Sequence, residues 1–361
     1  MALVPTFHPD TLHQFVIETC EALGSENREA TLVADQLIGA NLAGHDSHGV
    51  GMIPAYVMVA GAGKLHVNQH PEVVVDAGSL VVLDGKAGFG QVNGYETMEL
   101  GIQRARENGA AITGLRNSSH IGRIGHWAEQ CAAAGMASIH FVNVIGHPPL
   151  VAAYGGADAS FSTNPVCAAV PGPDGKPAAL LDMATSIIAQ GKARVAHNKG
   201  VKVPDGSVLD PDGRLSDDPG VMFSDPRGAL VAFGDHKGSG LAMMCDLLGA
   251  ALLGGETAQP ENARDGRIIN NMLSIIIDPS ATGDVDRFAD EVAKYSAHIT
   301  GSRLREGAES VLMPGMPEEA ARKARADGFE VDPTTWGELR ASAVRAGVAE
   351  ERVTELLGPA E

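Results

Sequence analysis

From Val73 onward the chain alternates short runs of branched aliphatic residues with stretches of helical period and glycine turns, and this alternation limits the fold more than any other feature. The runs are VVV at 73–75, LVVL at 80–83, ITGL at 112–115, SIHFVNV at 138–144, VCAAV at 166–170, ALLDM at 179–183 and LSIIID at 273–278. Strands separated by helices predict an α/β fold, with a mixed sheet covered by helices. The two ends read differently. Leu12, Phe15, Val16 and Thr19 follow Asp10 at helical spacing, and Val33, Leu37 and Ala40 do so after Asn27. Beyond Asp284, amphipathic helices are expected over Val285–His298, Pro317–Asp327 and Thr334–Gly347. Amphipathic helices need an apolar partner, so the tail is expected to pack beside the N-terminal helices. The expected division is a helical lobe from residues 1–75 and 285–361 around an α/β lobe of residues 76–284. A chain of 361 residues with 44% hydrophobic content is long enough to fill both. The one loop-rich stretch is Pro204–Pro226.

Charge and cysteine usage narrow the function classes. The net charge is -18 and none of the 27 Lys and Arg residues form a run, which argues against a nucleic-acid partner. A small ligand is expected, and an anionic one is compatible, because a few local cations and N–H groups reverse the potential inside one cleft. Cys20, Cys131, Cys167 and Cys245 lie in apolar stretches without a CxxC pair and read as buried thiols of a reducing compartment. The segment MALVPTFHPD lacks the basic residues and apolar core of a secretion signal, and the longest apolar stretch, Leu241–Leu253, is interrupted by Asp246. The expected location is the cytoplasm, with no membrane partner.

Four segments carry chemistry. In Gly44-His45-Asp46-Ser47-His48-Gly49 two imidazoles, a carboxylate and a hydroxyl crowd one turn, and His48 has the pKa of a proton donor to a carbonyl. The plainer alternative is a capping turn made by Asp46 or Ser47. In Asn117–His126, between a strand and a helix, Gly122 and Arg123 offer an N–H group and a cationic fork to an anion such as a pyrophosphate. Alternatively His120 is a satisfied core group and Arg123 a surface residue. Leu180, Leu181, Asp182 and Met183 end a strand at a helix start, where α/β sheets hold ligands, and an Asp there can bond a ribose hydroxyl or an amide. A capped helix fits equally well. Gly234–Gly240 opens a helix with His236 and Lys237, the latter a candidate for phosphate or substrate, with Asp235 as a simple cap the alternative.

Gly88-Phe89-Gly90-Gln91-Val92-Asn93-Gly94 imitates a dinucleotide fingerprint. Its spacing is GxGxxxG, with no strand-end acid at the expected distance, so it reads as a structural turn. No GxxxxGK[ST] loop is present, which counts against an NTPase.

Taken in order, DSHG, NSSHIGRIG, HFVNV, STNP, LLDMATS, DHKGSGLA and MPG, framed by helical ends, resemble the malate/L-lactate dehydrogenase family of the second type over nearly the whole chain. The resemblance implies a nicotinamide enzyme with a non-Rossmann dinucleotide-binding lobe, no metal, NAD favoured over NADP, and a homodimer. By the same resemblance His48 matches the family's proton donor beside the nicotinamide, and His120 a second active-site histidine. Gly122, Arg123 and Ile124, Leu180 to Met183, His236 with Lys237, Asn270, and Gly315, Met316, Pro317 and Glu318 match cofactor contacts. Ser47, Met52, Tyr56, His120 and Asn143 fall at substrate positions. One departure bears on specificity. Many relatives carry Arg four residues after the DSHG histidine, where this chain has Met52. The expected reaction is therefore reversible NAD(P)H-dependent reduction of a 2-oxo acid with an apolar or aryl side chain; the alternative is another substrate of the same family, such as malate, lactate, ureidoglycolate or a cyclic imino acid. Two other classes compete. A metal hydrolase would use His45, Asp46, His48, His120 and His126, but no HExxH set is present and Arg123 would oppose a cation. A non-catalytic binding protein would have lost the acid, and both histidines are here.

Overall fold

The computed structural model describes residues 4–262 and 264–359. Its helices are α1 (Pro9–Ala22), α2 (Asn27–Leu42), α3 (Ile53–Gly61), α4 (Gly90–Asn108), α5 (Gly125–Ala133), α6 (Gln190–Lys199), α7 (His236–Gly249), α8 (Val285–Thr300), α9 (Met316–Ala324), α10 (Pro333–Ala346) and α11 (Glu350–Leu357). The strands are β1 (Thr6–Phe7), β2 (Glu72–Ala77), β3 (Leu80–Asp84), β4 (Ala110–Ser119), β5 (Ala137–Ile145), β6 (Val151–Ala152), β7 (Ala159–Phe161), β8 (Val166–Pro171), β9 (Pro177–Met183), β10 (Val208–Leu209), β11 (Leu215–Ser216), β12 (Ala229–Leu230), β13 (Ile269–Ile277) and β14 (Phe329–Glu330). No helix among the described residues is long and apolar enough to cross a membrane.

The main sheet is mixed, as expected, with seven strands in the order β2-β3-β4-β13-β5-β8-β9. Only β3 and β4 run parallel; every other neighbouring pair is antiparallel. β13 sits at the centre and is almost wholly buried, its Asn270, Asn271 and Ser274 included. One face is covered by α4 and α5, where Val81, Leu83, Met98, Leu115, Trp127, Met272 and Ile276 interlock. On the other face Leu253 packs on Val82 and Leu273, and the same face carries Val75, Leu80, Ile112 and Ile277 still exposed.

A smaller sheet, β11-β10-β12-β6-β7, has its own core of Leu150, Val151, Phe161, Met222 and Leu230. The loop-rich segment 204–226 supplies two of its strands. Strands of two residues leave no hydrophobic period to read.

The two ends of the chain share one core: Leu12, Phe15, Leu37, Ile53 and Tyr56 pack with Leu339, Val353 and Leu357. β1 and β14 pair Thr6 with Glu330 and Phe7 with Phe329, joining the ends directly. One helix departs from the expected packing. No residue of α8 is buried, because α10 and α11 already close the apolar surface of α1 and α3. The sequence reading did not name α11, whose Val353 and Leu357 are buried.

Candidate active site

His48 sits on a tight turn between α2 and α3 whose shape is set by Asn41. The Asn41 amide donates to Asp46 Oδ1 at 2.7 Å and its carbonyl accepts from the Val50 N–H at 2.7 Å. Arg325 then binds Asp46 through both oxygens, at 2.6 and 3.0 Å. Asp46 is thus a brace, which leaves His48 to turn toward β4.

His120 stands just beyond β4, where the chain is gripped from three sides. Gln36 donates to the Ile121 carbonyl at 2.7 Å, Asn270 accepts from the Ile121 N–H at 3.0 Å, and the Trp127 indole reaches the same carbonyl at 3.1 Å. Two glycines make this approach possible. A Cβ on Gly90 would lie 2.1 Å from the His120 carbonyl oxygen, and Gly122 has φ +70° with the Gln36 amide filling the space beside it. The segment Gly88–Gly94 is a close-packing device, and from Gly90 on it is the start of α4 rather than a turn.

The result is a histidine pair. His48 Nδ1 lies 3.2 Å from His120 Nε2, the rings are near-parallel at 15° with centroids 5.3 Å apart, and His120 Nδ1 meets the Tyr56 hydroxyl at 2.7 Å. Burial pushes His48 down to about 4, helped by the charges of His45 and Arg123. Burial, with His48 beside it, pushes His120 down to about 3. Both rings are therefore neutral at pH 7. His48 Nε2 has no protein partner among the described residues and is the free end of the pair.

The candidate cofactor stretches lie close together. The Leu180 N–H donates to the Pro314 carbonyl at 3.0 Å, Gly315 approaches Leu180 so closely that a Cβ would sit at 3.2 Å, and Glu318 Oε1 is 3.1 Å from His45 Nε2. Beyond Met183, the Thr185 carbonyl accepts from the Phe233 N–H at 3.0 Å just ahead of α7, and His236 and Lys237 at the start of that helix are exposed. A dinucleotide fits this donor set. β9 ends the sheet, and Asp182 follows Leu180 at the two-residue period onto its open edge, presenting backbone N–H and C=O.

Several expectations for these residues are corrected. Arg123 is 2% exposed and paired with Glu129 and, at 3.7 Å, with Asp182, so its charge is spent inside the protein and it is not a free phosphate fork. Asp182 turns its carboxylate to the Gly125 N–H at 2.8 Å; burial pushes it up, while Arg123 and that N–H pull it down. Ile124 is buried in the α/β core. Asn270 spends its side chain on Ile121 and on the Asn143 carbonyl at 3.0 Å. Asn143 is fully buried and donates to Asp246 and Glu256 while accepting from Asn271, so it has no group left for substrate. Tyr56 is buried, with its hydroxyl on His120 rather than in an open pocket. Met52 is half-buried against the helical core, and Ser47 is exposed beside His48. Of the hydrolase set, Asp46 is held by Arg325, His45 by Glu318, and His126 packs edge-on against Trp127; only His48 and His120 come together.

Residues 7–340 match the family model described as malate/L-lactate dehydrogenase. The chain belongs to that family. This dehydrogenase is 46% identical over 348 residues to hydroxycarboxylate dehydrogenase B of Escherichia coli (strain K12), covering 96% of this chain and 95% of that one. It is 38% identical to an L-lactate dehydrogenase of Cupriavidus necator, covering 88% and 91%. A solved Escherichia coli structure, provisionally described as a malate/lactate dehydrogenase, superposes with a TM-score of 0.93 at 44% identity, covering 98% of each chain. The chain is accordingly an oxidoreductase of the hydroxyacid dehydrogenase class.

Three residues of the dehydrogenase site escaped the sequence reading. Gln91 donates to the Tyr56 hydroxyl at 2.8 Å, Glu129 ties Arg123 to Arg322, and Asn41 shapes the His48 turn. Only Gln91 had a signal, its place in the glycine-rich segment set aside as a turn. A separate cavity of about 510 Å³, lined by His66, Asp84, Lys86, Glu256 and Arg267 among others, contains none of the candidate residues.

Proposed function

We propose that the enzyme reduces a 2-oxo acid bearing an apolar or aryl side chain to the 2-hydroxy acid, reversibly, with His48 as the group that exchanges a proton with the C2 oxygen. The observation that supports this most is the hydrogen-bonded His48–His120 pair with His48 Nε2 left free, on the same turn as His45, which pairs with Glu318. A nicotinamide dinucleotide, when bound, supplies or accepts the hydride. In the oxidation direction the His48 ring takes the hydroxyl proton at Nε2, for which its own proton must first move to Nδ1, on the His120 side. In the reduction direction it must first carry an extra proton, and a substrate carboxylate arriving beside the ring favours that charged form. Ser47 offers the carboxylate a hydroxyl, and Met52 in place of an arginine favours an apolar substituent.

NAD is the favoured cofactor. Glu318 lies among the cofactor stretches, and Arg123 and Arg322 are both paired with Glu129, so neither is committed to a 2′-phosphate. The proposed assembly is a cytoplasmic homodimer. Its support is the exposed apolar sheet face of Val75, Leu80, Ile112 and Ile277, with Met243, Met244 and Leu247 exposed on α7 and Leu252 exposed just after it.

Oxidation of NADH and of NADPH, followed at 340 nm as is usual for nicotinamides, across phenylpyruvate, hydroxyphenylpyruvate, pyruvate and oxaloacetate tests the reading. The aryl acids with NADH are expected to give the highest kcat/KM, unaffected by prolonged chelation. Preference for oxaloacetate would overturn the substrate class, and loss of activity on chelation with recovery on adding zinc would overturn the mechanism.

A further inference from the structure

Gln91 and Tyr56 reach the reaction only through the histidines, and we infer that they are positioning residues that dictate which nitrogen of each ring carries its proton, so that His48 presents Nε2–H to the substrate oxygen. The inference rests on the proposed role of His48. Its basis is an unbroken chain: Gln91 Nε2 to the Tyr56 hydroxyl at 2.8 Å, that hydroxyl to His120 Nδ1 at 2.7 Å, and His120 Nε2 to His48 Nδ1 at 3.2 Å. Gln91, Tyr56 and His120 are all buried, so water does not substitute for any link.

Proton bookkeeping gives the chain a direction. The phenol oxygen accepts from the Gln91 amide, so the single phenol proton goes to His120 Nδ1. A neutral imidazole has one N–H, which His120 must then carry on Nε2 and donate to His48 Nδ1. His48 is left with its own proton on Nε2, facing the cleft. The reverse direction requires the Gln91 amide turned over, with its oxygen on the phenol. As it stands, the buried Gln91 Oε1 has no partner. One of the two Gln91 N–H groups is also without a partner among the described residues; turning the amide would strand both N–H groups in place of one N–H and the oxygen, and a stranded buried N–H is less readily tolerated than a stranded C=O. Tyr56 itself is not the proton source, because burial holds its phenol well above the ordinary value. It orients the pair without ionising.

The test uses the full-length enzyme labelled with ¹⁵N in histidine, free of substrate and cofactor at neutral pH, with the ring nitrogens read by long-range ¹H–¹⁵N correlation. Both rings are expected to be protonated on Nε2. Tyr56→Phe keeps the shape and removes the donor, so the His120 ring is expected to become a mixture of tautomers and kcat to fall roughly 10- to 100-fold, part of the value of a placed acid, with cofactor KM within about twofold. Gln91→Glu supplies an acceptor of nearly the same size, and is expected to move the protons of both rings to Nδ1. Wild-type rings protonated on Nδ1, or rings unchanged in both variants, would overturn the inference. The wild-type spectrum decides the first point even where a variant folds poorly. If the tautomers behave as expected while His48→Ala keeps its turnover, the chain stands and the role given to His48 fails.

Discussion

At the scale of single residues the two histidines divide the labour unequally, and replacement separates them. His48→Ala is expected to lower turnover by roughly 10²- to 10⁴-fold with little change in cofactor affinity, the usual value of a placed acid or base. Steady-state kinetics check this, with His120→Ala as the comparison; near-normal turnover in the first and a large loss in the second would exchange their roles. Met52→Arg puts a guanidinium where a thioether now lies against the helical core. A bidentate contact worth about 1.5–3 kcal/mol would shift the ratio of kcat/KM between oxaloacetate and phenylpyruvate about tenfold or more toward the dicarboxylate. A third histidine controls acid stability. His140 is fully buried between Ser274 and Ser138, 2.8 and 3.0 Å away, and burial pushes it down to about 3. Below about pH 6.5 the unfolded chain takes up a proton that the folded ring refuses. The stability that His140 contributes is therefore complete above that pH and is lost on acidification, by about 1.4 kcal/mol per pH unit, until the folded ring titrates. His140→Gln is expected to flatten the slope of urea-unfolding free energy against pH between 6 and 4.5 by about one proton. Residue types that mark chemistry were readable from the sequence: His48 and His120 stand out by composition and motif. Their neighbours were not. Arg123 beside a glycine turn looks like a phosphate fork until Glu129 and Arg322 arrive from other elements, and Asn143 looks available until Asp246, Glu256 and Asn271 use up its bonds.

Among the elements, the start of α4 against the His120 segment is the contact with least slack. Gly90→Ala would set a methyl 2.1 Å from the His120 carbonyl, so backbone has to move. The expected result is a loss of about 1–3 kcal/mol in stability, as for overpacking elsewhere, together with a turnover loss of at least tenfold, checked by thermal unfolding and kinetics. Gly63→Ala, with open space around its Cβ, is a control for positive φ away from the site. Every strand of five residues or more in the main sheet has a run visible in the sequence, because branched apolar residues favour a pleated strand, in the buried centre and in the fully exposed edge strand β2 alike. The small sheet was invisible because strands of two or three residues are defined by their partners. α8 was visible as a helix and misread as to its partner, since amphipathicity tells that a face is to be covered and not by what.

For the whole molecule, the exposed apolar sheet face makes the state of association the decisive measurement. Sedimentation equilibrium of the wild type is expected to give twice the mass of the chain, and Ile112→Glu, which places a charge in the middle of that face, is expected to shift the equilibrium to monomer. A monomeric wild type would leave the face without an explanation. The shared core of the two chain ends has a different consequence, one in time. Phe15, Leu37 and Ile53 emerge from the ribosome early, but Leu339, Val353 and Leu357, against which they pack, are made last. The central sheet has all its strands before then and can assemble during synthesis. The first helices must wait, oily and uncovered, for the length of a whole translation, so a nascent chain stalled near residue 330 is expected to hold a folded sheet beside an unfinished lobe that recruits chaperones.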